Sequence, residues 1–476
     1  MKFTSFEFII FFIVVFVLYW GVLKKNKKHQ NILLLISSYF FYGYWDYRFL
    51  SLIFISSIID FTIGHFLQNE NNITKRRLLL GISLFANLGM LGVFKYYNFF
   101  ASSFNEMWQS LSGNELNFVT LKIVLPVGIS FYTFQTLSYT IDVYRKKLHP
   151  TKSFVSFFAY VSFFPQLVAG PIERAINLLP QFEKERVFKY EKAVDGCRQI
   201  LWGFFKKIVI ADNVGTYVDQ FFANPASFSG SELALGAFYF AFQIYCDFSG
   251  YSDIAIGTAR IFGFNLMKNF NFPYFSRDIG EFWRRWHISL STWFRDYLYI
   301  PLGGSRVKTK FRLFINVIVI FVVSGLWHGA NWTFVIWGFL NALLFLPSIL
   351  TGRNRKNMDT IGQGKTIPTI NEVLSMLFTF SMTLVLWVFF RADSVFAAVS
   401  YLSGIFNHSF FTIPLKLGGV PMILILLIME WRAKEKNHAL EDLSGNRFVR
   451  WTMYIALILF VVVFTGEDKV FIYFQF

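Results

Sequence analysis

Ser324-Gly325-Leu326-Trp327-His328-Gly329-Ala330-Asn331-Trp332 separates two long apolar runs, residues 311–323 and 332–350. A helix needs about 20 predominantly apolar residues, at 1.5 Å rise each, to cross a bilayer. The stretch therefore links two candidate membrane helices and puts the imidazole of His328 at membrane depth. An ionisable side chain is expensive there and is a functional-site candidate by default. A polar group packed between helices and hydrogen-bonded in place is the alternative use of the same residue.

The rest of the chain has the same character. Of its 476 residues 55% are hydrophobic and 16% charged, with 63 Phe and 13 Trp. No soluble domain carries so aromatic and so uncharged a sequence. Further apolar runs occupy residues 6–23, 32–49, 52–66, 78–100, 123–142, 194–210 (continued by a polar turn to 222), 233–262, 373–390, 420–429 and 451–464. A shorter run, 154–168, is broken by Pro165 and Gly170-Pro171, which reads as a re-entrant or kinked span. The expected fold is an all-α polytopic membrane protein with about a dozen transmembrane or re-entrant helices. Repeats, low-complexity tracts and polar loops long enough to fold alone are absent. One multi-pass domain over residues 1–476 is expected, with a catalytic core at 123–350. The first run lacks a basic leading segment and an Ala-x-Ala-like site, so it reads as a retained span.

The net charge of +16 falls in short loops between apolar runs, which points to topology and to lipid headgroups, not to nucleic acid. Lys24, Lys25, Lys27 and Lys28, then Lys75 to Arg77, Arg145 to Lys147, Arg353 to Lys356, and Arg432 to Lys436 mark cytoplasmic loops. The alternation is consistent with both termini outside. Only Cys197 and Cys246 are present, and they build neither a disulfide framework nor a zinc site. Cys246 reads as a small core residue.

Two further stretches carry chemistry. Tyr245-Cys246-Asp247-Phe248-Ser249-Gly250-Tyr251-Ser252-Asp253 sets two carboxylates in an apolar helix, and Ala255, Ala259 and Gly263 follow at a spacing suited to close packing. Asp247 and Asp253 must face protein or water. A buried ion pair with arginines of the next segment and a direct chemical role are both open. That segment, residues 281–296, contains Trp283-Arg284-Arg285-Trp286-His287 and Arg295. Drawn as one helix, it puts Trp283, His287, Leu290 and Phe294 on one face, and Arg284, Ile288, Ser291 and Arg295 on another. An aromatic and cationic cavity of this kind suits a phosphate-bearing or thioester donor, although a basic helix resting on lipid heads would also explain the charges. Two intramembrane histidines, His287 and His328, suggest acyl transfer with an imidazole as general base. Gly-x-Ser-x-Gly, His-Glu-x-x-His and P-loop motifs are absent, which removes their enzyme classes.

At these residues the chain closely resembles the membrane-bound O-acyltransferase (MBOAT) family, and within it the branch of the alginate O-acetylation membrane subunit with its peptidoglycan and cellulose acetylation relatives. The resemblance rests on Leu125 to Gln135, Phe164 to Ile172, Tyr245 to Asp253, Phe282 to Gly304, Ser324 to Trp332 and Phe471 to Phe476, and it spans nearly the whole chain. It implies helices curved around a central funnel or tunnel, His328 as the catalytic histidine and His287 as the second functional one. Trp283, Arg284, Arg285, Trp286, Arg295, Trp327, Asn331, Asp247 and Asp253 become candidates for donor binding or support. It also implies residence in the cell (inner, cytoplasmic) membrane and a cytoplasmic acyl thioester, acetyl-CoA or another, as donor. The acceptor is an extracytoplasmic polysaccharide, often reached through a serine-hydrolase-like partner. No bound cofactor or metal is expected. His328 could act as general base or be acylated itself; the first is favoured because it needs no labile acyl-imidazole near water. D-alanyl transfer to teichoic acid is the rival among enzymes. A transporter or flippase is the rival outside them, but only one Pro/Gly-broken segment is found, without a counterpart in a second half.

Overall fold

The computed structural model describes residues 1–476 except 115–119, 408, 410, 411, 415, 444, 467–470 and 473–476. The last four of the closing residues used for the resemblance, Tyr473 to Phe476, thus lie outside the described residues. Among the described residues the secondary structure is helical, with no strand. The helices group into two compact units, one of residues 1–193 and 259–266, the other of residues 194–258 and 267–476.

The first unit holds α1 (Phe6–Val17), α2 (Lys27–Asp46), α3 (Leu50–Asn69), α4 (Ile73–Leu91), α5 (Tyr97–Ser112), α6 (Ile129–Tyr144), α7 (Phe154–Ser162) and α8 (Ala175–Glu183). Residues 123–128, expected to begin a span, are not helical. The reason is Gly128, whose φ of 76° starts α6 from a left-handed position, and a Cβ there would lie 2.8 Å from the Leu167 carbonyl. α7 stops at Ser162, ahead of Pro165, and the chain from Phe163 to Ile172 stays buried without regular helix. Its backbone is satisfied inside the protein: Phe164 N donates to Ser38 Oγ at 3.0 Å, and Gly170 N to Gln166 O at 2.9 Å. Asp60 of α3 is fully buried and accepts from Ser83, from Asn87 Nδ2 at 2.8 Å and from Thr140 at 2.8 Å, tying α3, α4 and α6 together.

The second unit carries the histidines. α9 (Tyr190–Phe204) passes through a π-helical turn, Phe205–Ala211, into α10 (Asp212–Ala223). α11 (Gly230–Ile261) crosses α9 at bare glycines. A Cβ on Gly203 would meet the Gly250 carbonyl at 2.6 Å, and one on Gly257 would meet the Gly196 carbonyl at 2.5 Å. Of the residues expected at a close-packing face, Ala255 and Ala259 are fully buried, while Gly263 (φ 84°) lies just past the helix end; the glycines add the backbone-to-backbone approach to α9. The approach lets the π-helical turn aim two lysines at α11. Lys206 reaches Asp253 at 2.5 Å, and Lys207 reaches Asp247 at 2.7 Å and Asp212 at 2.8 Å. An ion pair with arginines of the following segment was one of the two readings left open for these carboxylates; the ion pairs are made with lysines of the preceding segment.

α14 (Lys310–His328) and α15 (Trp332–Leu350) pack side by side around Val317, Ala342 and Leu346. A Cβ on Gly325 would overlap the Phe334 carbonyl at 2.1 Å, so the two helices touch backbone to backbone one turn below His328. α16 (Ile370–Arg391), α17 (Val395–Asn407), α18 (Val420–Arg432) and α19 (Arg447–Val463) complete the unit. Among the described residues, five helical stretches are long and apolar enough to cross a membrane: 27–69, 73–112, Lys310–His328, Trp332–Leu350 and Ile370–Arg391.

Candidate active site

The segment expected as one helix is two short ones, α12 (Ile279–Arg285) and α13 (Ile288–Phe294), with the break at His287. His287 has φ 42° and ψ 54°, a left-handed conformation that a residue with a Cβ adopts only when its surroundings hold it. The holder is Asn269. Its carbonyl accepts from Ile288 N at 2.8 Å, while Asn271 N donates to Arg285 O at 2.9 Å on the other side of the break. The kink turns His287 inward, with 1% of its surface exposed.

His328 ends α14 and is likewise buried. The centroids of the two imidazoles lie 6.3 Å apart, with planes at 59°. Aromatic rings wall them. His328 stands edge-on to Trp337 at 5.3 Å and to Phe390 at 5.3 Å, and Trp327 lies 5.0 Å away. His287 meets Phe248 edge-on at 4.6 Å and Trp327 at 5.8 Å. Trp286 packs on Trp387 at 4.9 Å. Such a wall excludes water and lowers the local dielectric, which strengthens every charge–dipole interaction inside it.

A cavity of about 610 Å³ opens beside this box. Its inner wall includes Trp283, Phe321 and Ser324, and its rim includes the exposed Arg295, Arg306 and Arg355. Ser324 lies one helical turn before His328. Trp283 contacts Trp337 at 5.8 Å, and Trp337 contacts His328, so two indoles stand between cavity and imidazole. The volume lies within the range of small-molecule sites.

The remaining sequence candidates divide. Trp283 and Arg295 line the cavity. Arg285 turns away to Glu281 at 2.8 Å, and Arg284 donates to the carbonyls of Asn354 and Asn357 at 2.5 and 2.6 Å. Arg284 thereby anchors the connection between α15 and α16, as does Arg277, whose guanidinium pairs with Asp359 and holds that carboxyl below its ordinary range. Asn331 caps α15 through Thr333 N at 2.9 Å and donates to Asp393 O at 3.1 Å. Asp247 and Asp253 serve the lysine pairs. Trp286 and Trp327 belong to the aromatic wall. Three residues that the sequence did not mark as site candidates belong here: Arg306 and Arg355 at the rim, the latter read only as a topology signal, and Asn269 behind His287. Charge alone could have drawn notice to the arginines; nothing local marks Asn269. Among the described residues no group of three or more His, Cys, Asp or Glu could hold a metal ion.

The family model of MBOAT, the membrane-bound O-acyltransferase family, matches residues 96–390, which contain both histidines and the whole cavity lining. A protein named "Probable alginate O-acetylase AlgI" from Azotobacter vinelandii is 40% identical over 378 residues, covering 79% of this chain and 72% of that one. The peptidoglycan O-acetyltransferase of Helicobacter pylori is 32% identical over 489 residues, covering 92% and 90%. The teichoic acid D-alanyltransferase of Bacillus subtilis is 27% identical over 253 residues, covering 50% and 63%.

Proposed function

Since this chain belongs to the membrane-bound O-acyltransferase family and is therefore a multi-pass membrane acyltransferase, we propose that it takes an acetyl group from a cytoplasmic thioester, acetyl-CoA, for the O-acetylation of an extracytoplasmic polysaccharide. The observation that carries the reading is the buried His287–His328 pair beside a cavity with a cationic rim. The rim arginines suit the phosphates of the donor, and the apolar interior suits its pantetheine arm and acyl end. The small acetyl group passes Trp283 and Trp337 to the imidazoles. There a hydroxyl oxygen attacks the carbonyl carbon of the thioester. The C–O bond forms, the C–S bond breaks, an imidazole takes the hydroxyl proton, and the departing thiolate is protonated in turn. The hydroxyl belongs to the glycan or to a serine-hydrolase-like partner that relays the group, and the protein works in the cytoplasmic membrane.

Acetyl rather than D-alanyl transfer is favoured because the O-acetylating relatives are the more similar and match more of the chain. The deciding measurement is glycan O-acetylation in cells carrying His328→Ala, at matched protein level. Loss of a general acid–base group lowers rates by roughly 10²–10⁴-fold, so acetylation should fall to background. Undiminished acetylation would sink the reading.

A further inference from the structure

α14 lines the cavity with one face. Leu313, Val317, Ile320, Phe321 and Ser324 recur at three- and four-residue steps, so this wall is apolar until its inner end, where Ser324 adds a hydroxyl. Ser324 is buried, yet its Oγ has no hydrogen-bond partner among the described residues. Helix hydroxyls in apolar surroundings commonly donate to a carbonyl of the preceding turn. Ser348 of α15 does so to Phe345 O at 2.8 Å, and Thr379 and Thr383 of α16 to Ser375 O and Thr379 O at 2.9 and 2.8 Å. The Ser324 oxygen makes no such bond, and it is not sealed in by packing as Tyr299 Oη and Thr333 Oγ1 are. The other hydroxyl on a helical wall of the cavity, that of Ser291, already reaches the Trp286 carbonyl at 3.4 Å. Ser324 thus offers the inner end of the cavity a donor that the protein itself does not use, and a buried hydroxyl left open in this way calls for an acceptor.

Depth identifies that acceptor. From Leu313 to Ser324 the helix rises about 16 Å, at 1.5 Å per residue. A pantetheine arm has the reach of about four extended residues, roughly 14 Å, so an arm whose phosphate stays at the rim arginines brings its sulfur end to this level. Ser324 and His328 lie on the same helix, separated by a rise of about 6 Å. In a pantetheine thioester five bonds join the thioester carbon to the nearest amide carbonyl carbon, about 6 Å in an extended chain. A thioester carbon level with His328 therefore sets that amide carbonyl level with Ser324.

We propose that Ser324 is a specificity-determining residue for the donor: its hydroxyl donates to the amide carbonyl nearest the sulfur of a pantetheine thioester and fixes how far the arm advances toward the histidines. The inference rests on the acyl-transfer reading above and adds the feature by which the donor is recognised. A simple alkyl thioester carries the same reactive carbon and lacks the amide.

The test uses inverted membrane vesicles, which present the cytoplasmic face and keep the native acceptor glycan, with His328→Ala vesicles as background. Glycan-bound label is counted from acetyl-CoA and from two small acetyl-labelled donors: S-acetyl-N-acetylcysteamine, which carries the amide, and S-pentyl thioacetate, in which methylenes replace its N–H and carbonyl. Ser324→Ala should lower kcat/KM for the amide donor about fivefold, the effect of one neutral hydrogen bond, raise the KM for acetyl-CoA about as much, and leave the pentyl donor within about twofold of wild type. A Ser324→Ala enzyme unchanged toward the amide donor overturns the proposal. So does one slowed equally toward both small donors, since a structural disturbance would do the same. Wild-type vesicles that acetylate glycan from none of the three donors overturn the acyl-transfer reading itself, and this inference falls with it.

Discussion

Arg306 and Arg355 stand at the cavity rim without belonging to either aromatic wall, while Arg295 shares its charge with Asp296 at 2.7 Å. If the rim reads donor phosphates, the arginines contribute to binding and not to the bond-making step. A charge-assisted contact in a half-open site contributes about 1 kcal/mol, so Arg306→Ala or Arg355→Ala should each raise the KM for acetyl-CoA about fivefold and leave kcat nearly unchanged. Steady-state kinetics in detergent decide it; a fall in kcat at constant KM would place the donor elsewhere. His287 and His328 could be found in the sequence because an imidazole amid apolar residues is conspicuous wherever it occurs. The bend at His287 could not. Neither proline nor glycine marks the break between α12 and α13, and the helical periodicity of Trp283, His287 and Leu290 continues straight through it. Its cause, Asn269, comes from a separate non-helical segment. Backbone strain imposed by a distant partner leaves no local pattern to read.

α9 and α11 show the same contrast between elements and their contacts. The apolar runs announced both helices, and the paired Asp247 and Asp253 announced that α11 faces protein. What brings α9 close is Gly196, Gly203, Gly250 and Gly257, spaced by seven within each helix, and that reciprocity emerges only when the two are laid together. The crossing has a steric cause that can be tested. A Cβ on Gly250 would lie 2.8 Å from the Gly203 carbonyl and 3.3 Å from Lys206 Cβ, so Gly250→Ala must push α9 outward. The displacement would loosen the Lys206–Asp253 and Lys207–Asp247 pairs, which are buried and tolerate little separation. Overpacking of this kind costs about 1–3 kcal/mol, and the thermal midpoint of the purified protein should fall by several degrees. Gly81, inside α4 with open space around it, is the matched control. Gly81→Ala should leave the midpoint equal or raise it, since alanine favours a helix by about 1 kcal/mol over glycine. Equal effects of the two substitutions would remove the close approach as a source of stability.

α14 and α15 set the direction of the chemistry. Each has 19 residues, a rise of about 28 Å at 1.5 Å per residue, which matches the hydrocarbon core of a bilayer. Arg306, Lys308, Lys310 and Arg312 lie at the start of α14, and Arg353, Arg355 and Lys356 follow the end of α15; from residue 313 to 352 there is neither Lys nor Arg. The positive-inside rule therefore puts the cavity rim in the cytoplasm and His328, at the far end of α14, near the opposite face. α16 runs back across, since its start joins the basic end and Asp393, just past its last residue, accepts from Asn331 beside His328. Under the proposed function, a donor entering at the arginines and an acceptor arriving from outside would then meet at the histidines without either crossing the bilayer. Single cysteines in a Cys197→Ser background test this arrangement, because the other native cysteine, Cys246, is buried. Ser394 and Ser305 are both exposed, one at each end. A membrane-impermeant maleimide applied to intact spheroplasts should label Ser394→Cys and spare Ser305→Cys, and inverted vesicles should give the reverse. Labelling of both from the same side would mean that the basic ends of α14 and α15 do not mark the cytoplasm, and the route from donor to acceptor would have to be redrawn.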